Sequence, residues 1–230
     1  MKRILLIATG GTIASKPTAG GLVPQITSEE ILNYVPQVAQ IAEIDTLQLF
    51  NLDSTNINWQ HWLKIAECIE TYYAKYDGFV ITHGTDTMAY TIAALSYLVQ
   101  NSAKPIVMTG SQKSIYEADT DARNNLINAF LYAADEYAQG VKLVFDGKVI
   151  MGTRARKSRT KSYNAFSSID YPEIAVIRDR RIIYFIEESK PEGAVKFYHK
   201  LDPKVFVLKL TPGLDPGIFE YLAEHHDAAI

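Results

Sequence analysis

The chain has 230 residues, of which 47% are hydrophobic and 11% aromatic, and its formal net charge at pH 7 is −3. This composition argues against a disordered chain and against a wholly basic nucleic-acid binder, and the length allows one domain or one and a half. A single cysteine, Cys68, excludes an intramolecular disulfide and any multi-cysteine metal site. Because no apolar run reaches the roughly 18 residues of a membrane span, we expect a soluble, cytoplasmic protein.

Strand-like and helix-like segments alternate along the first 145 residues. The predicted strands are Arg3–Thr9, Glu43–Asn51, Gly78–Thr82, Pro105–Thr109 and Val141–Phe145, and the predicted helices are 58–75, 86–100 and 120–139. Several of these strands are apolar throughout, which is typical of a parallel sheet that is covered on both faces. The alternation therefore predicts a doubly wound, mostly parallel α/β domain.

The pattern changes after Asp146, where short strands at 149–151, 174–177 and 181–185 follow one another without helices. We predict an N-terminal α/β catalytic domain over 1–188, a linker over 189–203 and the start of a second, smaller α/β domain over 204–230. We expect this second domain to be incomplete, because a strand has only begun at Ala228 when the sequence ends.

Small polar residues follow three of the apolar strands. The segments are Thr9-Gly-Gly-Thr12, Thr82-His-Gly-Thr-Asp-Thr87 and Thr109-Gly-Ser111. Each one alone is explained by threonine and glycine ending a strand and beginning a turn. Ligands of open α/β sheets bind beyond the carboxyl ends of the strands, and helix N-termini there favour an anion. Three such segments at one edge therefore favour a pocket for a small, carboxylate-bearing substrate.

The chemistry at this edge points to threonine. The sequence has no dinucleotide-binding or Walker glycine motif, no His-Glu-x-x-His and no Gly-x-Ser-x-Gly, so we expect no cofactor and no metal site. A threonine hydroxyl is a weak nucleophile unless a base or a cation assists it. The run 154–161, with five cations in eight residues, could supply a lysine to Thr85 and Asp86. It could equally be a solvated loop or a phosphate or nucleic-acid patch, and spacing does not choose between Lys157 and Lys161.

Two sequence segments resemble the motifs of a known family. Ala8-Thr-Gly-Gly-Thr-Ile-Ala14 and Ile81-Thr-His-Gly-Thr-Asp-Thr-Met88 closely resemble the signature motifs of bacterial L-asparaginases. The resemblance continues through 52–56, 108–111 and 152–157 and covers essentially the whole chain. It implies an amidohydrolase that converts L-asparagine, and to some extent L-glutamine, to the acid and ammonia through a threonine-bound acyl-enzyme. It also implies a cytoplasmic homo-oligomer, a dimer or tetramer, with no membrane or nucleic-acid partner.

The resemblance also assigns roles to individual residues. It implies that Thr12 is the nucleophile and that Thr85, Asp86 and Lys157 form a second catalytic group. The family has a glycine five residues before its lysine, so Gly152 points to Lys157 rather than to Lys161.

The same resemblance implies which residues contact the substrate. It implies that Asp53 and Ser54 lie at the α-carboxylate site, that Ser111 lies near the substrate amide, and that Asp86 also holds the α-ammonium group. We expect the backbone N–H of Gly11 or Thr85 to stabilise the oxyanion of the tetrahedral intermediate.

The loop after the first motif differs from the family pattern. Many members carry there a tyrosine that helps to activate the threonine, whereas residues 13–27 contain none and Tyr34 is the first tyrosine of this chain. The base for Thr12 is therefore unassigned. Lys16, Pro17, Gly20 and Gly21 suit a flexible lid over the substrate.

Two other functions fit part of this pattern. An amidase subunit of a tRNA-dependent amidotransferase resembles asparaginases, and the basic run would suit such a partner. An amino-acid-binding sensor would keep the pocket without turnover, but a pure binder has no need of Lys157. Ammonia release from asparagine or glutamine distinguishes the three.

Overall fold

The structure, a computed structural model, describes residues 1–18 and 21–230, and all of their side chains except those of residues 17, 18 and 21–24. The chain divides into two compact units, Met1–His199 and Lys200–Ile230. In the first unit the strands are β1 (Arg3–Gly10), β2 (Ser15–Thr18), β3 (Gly21–Pro24), β4 (Glu43–Leu52), β5 (Gly78–Thr82), β6 (Val99–Gln100), β7 (Pro105–Thr109), β8 (Gly140–Phe145), β9 (Lys148–Met151), β10 (Ala155–Lys157), β11 (Phe166–Ser168), β12 (Ala175–Arg178), β13 (Arg181–Tyr184) and β14 (Lys196–Phe197). Its α-helices are α1 (Ser28–Asn33), α2 (Trp59–Tyr72), α3 (Met88–Leu98) and α4 (Ala122–Ala134).

An eight-stranded sheet with the order β13-β12-β9-β8-β7-β5-β1-β4 forms the centre of this unit. Five neighbouring strands of this sheet, β8, β7, β5, β1 and β4, are parallel to one another. Strands β9, β12 and β13 add antiparallel pairs at the other edge. Every residue of β5 and β7 is buried, so both faces of these strands are covered. The predicted mixed α/β architecture with a mostly parallel sheet is confirmed.

The helices that pack on the sheet include α3 and α4. Helix α4 contributes large fully buried side chains, among them Phe130 and Tyr132, to the core. None of the helices in the described ranges is long and apolar enough to cross a membrane.

Some local structure was not predicted. Strands β2 and β3 form an antiparallel hairpin directly after the first motif. Helix α1 begins with a reciprocal capping box, in which the side chain of Thr27 accepts from the N–H of Glu30 and the Glu30 carboxylate accepts from the N–H of Thr27. Strands β10 and β11 form a second short hairpin, which carries Lys157.

The predicted domain limits, 1–188, 189–203 and 204–230, stay a prediction. Residues 196–197 of the predicted linker form β14, which pairs with β6 inside the first unit. The second unit holds β15 (Val205–Phe206), α5 (Gly217–His225) and β16 (Ala228–Ala229), and its two short strands are parallel.

Candidate active site

Two glycine turns touch at the carboxyl edge of the sheet. Gly11 ends the turn after β1 and Gly84 follows β5, and the two strands are neighbours in the sheet. A Cβ on Gly11, which has a φ of +81°, would lie 2.5 Å from Gly84 Cα. A Cβ on Gly84 would lie 2.6 Å from Ser54 Oγ. Glycine at both positions is therefore what allows the turns after β1, β4 and β5 to meet.

A small cleft lies where these turns meet. Its lining residues are Gly11, Thr12, Ser15, Asp53, Ser54, Gly84 and Asp86. Four of the predicted site residues, Thr12, Asp53, Ser54 and Asp86, are thus brought together. The Thr87 hydroxyl donates to the Ser54 carbonyl over 2.8 Å, and Asp53 Oδ1 accepts from both the N–H and the hydroxyl of Thr55 at 2.9 Å. The Thr87 bond ties the turn after β4 to the start of α3, and the two Thr55 bonds hold the turn itself.

The Lys157 ammonium connects the two predicted partners beside this cleft. Lys157 Nζ donates to Thr85 Oγ1 over 2.8 Å and to Asp86 Oδ1 over 2.6 Å. The lysine side chain is 14% exposed and the aspartate side chain 62% exposed. An ion pair with so exposed a carboxylate contributes little to stability, so its importance lies in where it holds the ammonium group.

Gly152 explains why Lys157 reaches this position. A Cβ on Gly152 would meet the Ser96 hydroxyl and would lie 3.2 Å from Ile92 Cγ1, both on α3. The turn that begins at Gly152 therefore packs directly against α3 and leads into β10, which ends at Lys157. Helix α3 itself begins just after Thr85 and Asp86.

Gln112 is a site residue that the sequence did not reveal. The Thr85 hydroxyl donates to Gln112 Oε1 over 3.1 Å, and Gln112 Nε2 donates to the carbonyls of Thr160 and Ser162 over 2.9 and 3.1 Å. The only available signal was its place next to Ser111, at the end of a strand that runs to the same sheet edge.

Ser111 and Thr12 differ in how their hydroxyls are used. Ser111 is 1% exposed and its hydroxyl donates to the Lys113 carbonyl. Ser111 is not among the described residues that line the cleft, and its contact with substrate stays a prediction. Thr12 Oγ1 has no hydrogen-bond partner within the described residues, although Thr12 lines the cleft.

The backbone donors correct one expectation. The N–H of Gly11 donates to the Leu52 carbonyl over 2.9 Å and is therefore not available to an oxyanion. The pairing of β1 with β4 shifts register between Ala8 and Gly10, which places Leu52 beside this turn. Among the described residues, the N–H groups of Thr12 and Thr85 have no backbone acceptor.

A buried histidine holds the second motif. His83 is 0% exposed, its Nε2 lies 2.9 Å from Thr91 Oγ1, and its Nδ1 lies 2.8 Å from the Gly84 carbonyl. Trp62 Nε1 donates to Thr91 Oγ1 over 3.0 Å. Because the Gly84 carbonyl only accepts, Nδ1 carries the proton and donates to it, and in the neutral imidazole Nε2 then accepts from the Thr91 hydroxyl. Burial lowers the pKa of His83 to about 4, so a neutral imidazole in one tautomer holds this turn.

The predicted lid lies partly outside the described residues, since Gly20 is not among them. At the base of the hairpin, Lys16 Nζ lies 5.3 Å from the centroid of the Tyr116 ring. Tyr116 in turn meets Tyr34 edge to face, with ring centroids 5.2 Å apart. The base for Thr12 is not assigned by these contacts.

Comparison with known proteins identifies the family. The family described as "Asparaginase, N-terminal" matches residues 3–190. L-asparaginase of Thermococcus kodakarensis is 37% identical over 99% of this chain and 70% of its own length. The solved structure of the thermostable L-asparaginase from that organism matches this chain with a TM-score of 0.89, and this chain covers 69% of it. A probable cytoplasmic L-asparaginase from Campylobacter jejuni has a TM-score of 0.86 at 30% identity, with 98% of this chain and 72% of that chain covered.

A second kind of relative is also similar. A glutamyl-tRNA(Gln) amidotransferase subunit of Pyrococcus furiosus is 36% identical over 96% of this chain and 53% of its own length. The chain thus spans about half of that amidotransferase protein. The L-asparaginase relatives are archaeal and bacterial, so they confirm the family and not its bacterial branch. They support an enzyme that hydrolyses an amide bond, and the chain belongs to the asparaginase family.

Proposed function

We propose that the protein hydrolyses L-asparagine to L-aspartate and ammonia through an acyl-enzyme on Thr12. The observation that carries the proposal is the Lys157–Thr85–Asp86 contact beside a cleft that Thr12 lines. The 37% identity to an L-asparaginase supports the choice of an amide substrate.

The charges of the site suit a free amino acid. Such a substrate carries one ammonium and one carboxylate group. Asp86 is a cleft-lining carboxylate whose Oδ1 is bound by Lys157, which leaves its other oxygen for the α-ammonium group. Ser54 and nearby N–H groups offer neutral donors to the α-carboxylate. Asp53 is held by Thr55 and orients the Ser54 turn.

The reaction proceeds in two steps. The Thr12 hydroxyl oxygen attacks the side-chain amide carbon, the C–N bond breaks, and the nitrogen leaves as ammonia after it takes up the hydroxyl proton. Water then attacks the ester, aspartate leaves, and one proton returns to Thr12. The N–H groups of Thr12 and Thr85 are the donors proposed for the oxyanion, and such a donor contributes roughly 3–4 kcal/mol in related acyl transfer.

The assignment of the nucleophile is tested by trapping the intermediate. We expect the purified protein to release ammonia from asparagine and the Thr12→Ala variant to release none. After rapid acid quench of the wild-type protein, we expect an adduct on the peptide that contains Thr12. We expect Thr85→Ala to keep acylation of Thr12 while losing turnover. A covalent adduct on Thr85 would contradict this order of events.

A component of an amidotransferase is the second candidate, favoured by 36% identity to the glutamyl-tRNA(Gln) amidotransferase protein. Under that function, ammonia release would require a partner protein and tRNA. Release by the protein alone supports the asparaginase, and binding of asparagine without release supports a sensor.

We also propose a cytoplasmic homo-oligomer. The relative named as a cytoplasmic L-asparaginase supports the location. Sedimentation equilibrium of the purified protein tests the assembly, for which we expect a dimer or a tetramer.

A further inference from the structure

The contacts of the Thr85 hydroxyl determine the direction in which its proton points. A hydroxyl has one proton to donate and two lone pairs to accept with, whereas an ammonium group only donates. The 2.8 Å contact with Lys157 Nζ therefore occupies a lone pair of Thr85. The proton goes to Gln112 Oε1, 3.1 Å away. One lone pair of Thr85 is left without a partner in the part of the chain that the structure describes.

The orientation of the Gln112 amide is fixed by its other contacts. Its nitrogen faces two backbone carbonyls, those of Thr160 and Ser162, at 2.9 and 3.1 Å. A flipped amide would place an oxygen against both carbonyls and a nitrogen against the Thr85 hydroxyl. Only the observed orientation satisfies all three contacts, so Gln112 presents an acceptor to Thr85.

The backbone of Gln112 is held as firmly as its side chain. Its N–H donates to both carboxylate oxygens of Asp121, at 3.1 and 2.9 Å, and the next N–H, that of Lys113, donates to Asp121 Oδ1 at 3.1 Å. Asp121 is buried and also accepts from Asn125 Nδ2 over 3.2 Å. Gln112 is thus fixed to the start of α4 on one side and to the segment after Lys157 on the other.

From these contacts we infer that Gln112 is a positioning residue for Thr85, a role that rests on the proposed function. By accepting the hydrogen bond of the Thr85 hydroxyl, Gln112 leaves a lone pair of Thr85 for the incoming group, so that Thr85 accepts a hydrogen bond from the water that attacks the acyl-enzyme. By binding the carbonyls of Thr160 and Ser162, it also ties the segment that follows Lys157 to the same hydroxyl.

The first test removes the acceptor and keeps the length of the side chain. Gln112→Met is expected to lower kcat for asparagine about tenfold, the effect of losing one net hydrogen bond from the reacting arrangement. KM is expected to change less than about twofold, because Gln112 is not placed on the substrate. Gln139→Met is the matched control, since Gln139 Nε2 also donates to two backbone carbonyls, those of Glu188 and Ser189. It is expected to keep kcat.

The second test uses a pH profile. In Gln112→Glu an ionised carboxylate would face the carbonyls of residues 160 and 162, whereas a protonated one can donate to a carbonyl and still accept from Thr85. The kcat of this variant relative to wild type is therefore expected to rise as the pH falls towards the carboxyl pKa. Thermal unfolding is followed over the same pH range, because a role in folding alone would lower the melting temperature of the variant together with its kcat.

The outcomes separate the two claims. If wild type releases ammonia and Gln112→Met keeps its kcat, the role of Gln112 is overturned and the proposed function stands. The same holds if Gln139→Met loses as much kcat as Gln112→Met, or if the Gln112→Glu ratio stays flat with pH. If wild type binds asparagine and releases no ammonia, the proposed function falls, and this inference falls with it.

Discussion

Gly11 and Gly84 lie backbone against backbone, so close that a Cβ on Gly11 would stand 2.5 Å from Gly84 Cα. The two motifs therefore depend on each other, although they are more than seventy residues apart in the sequence. This contact places Thr12 and Asp86 along one cleft, and it gives the first prediction.

Gly11→Ala is expected to abolish most of the activity and to destabilise the fold. The backbone of Gly11, with a φ of +81° and a ψ of 179°, lies in a region open essentially to glycine alone, where another residue costs about 1–3 kcal/mol. The collision with the Gly84 backbone also forces the turns apart. Gly193→Ala is the control, because Gly193 has a φ of +84° and nothing within 4 Å of the added Cβ. Ammonia release and thermal unfolding of both variants check this, and equal effects of the two would contradict it.

Lys157→Gln is expected to lower kcat by roughly 10²–10⁴, the range for a group that assists proton transfer. Thr85 and Asp86 would lose the ammonium group that contacts both. Thermal stability is expected to change little, since the carboxylate of the pair is 62% exposed. Lys161→Gln, at an exposed position of the same basic run, is expected to keep kcat. A strong loss in Lys161→Gln would mean that the wrong lysine has been assigned.

Acid is expected to destabilise the fold through His83. Its pKa is about 4 in the folded protein because of burial, against an ordinary value of 6.5. Between these values the unfolded chain binds a proton that the folded chain does not, so the free energy of unfolding falls as the pH falls from 6.5 to 4. The loss amounts to about 3 kcal/mol. Urea unfolding at several pH values measures it, and His83→Asn is expected to flatten this part of the profile. An unchanged profile in that variant would assign the acid sensitivity to other groups.

The thiol of Cys68 is expected to be unreactive in the native protein. Cys68 is buried, and burial raises its pKa to about 11, so almost no thiolate is present near neutral pH. A chromogenic disulfide reagent at pH 8 is expected to label less than a tenth of the chains within minutes and one thiol per chain in urea. Rapid native labelling would show that helix α2 opens locally.

The sequence predicted the central strands well because their signal is local. Runs such as Ile4–Ala8 and Phe79–Ile81 are apolar at every position, and burial on both faces of a parallel sheet demands that pattern. The threonine- and glycine-rich ends of these strands then predicted which edge carries the site.

Contacts between distant segments were beyond such reasoning. Lys157 and Lys161 are four residues apart, so an extended strand would place both on one face, and spacing could not choose between them. In the structure, Lys157 ends β10 and contacts Thr85 and Asp86, and the turn at Gly152 that leads into β10 packs on α3. Gln112 was missed because its partners, Thr85 and the carbonyls of 160 and 162, come from three separate segments. The expectation that the Gly11 N–H is free for the oxyanion was wrong, since this N–H donates to the Leu52 carbonyl. The register shift that brings Leu52 to Gly11 has no local signature in the sequence.

A series of hydrogen bonds runs from the Trp62 indole through Thr91 and His83 to Gly84. We therefore expect the fluorescence of Trp62 to respond to changes at the candidate site. The protein has two tryptophans, and the other, Trp59, is 36% exposed, so we expect it to emit as an indole in contact with water. A ligand that displaces the Gly84 turn is expected to alter the hydrogen bond at the Trp62 indole and, with it, the wavelength and intensity of the Trp62 fluorescence. We therefore expect occupancy of the cleft to be visible in the fluorescence of the unlabelled protein, before any turnover.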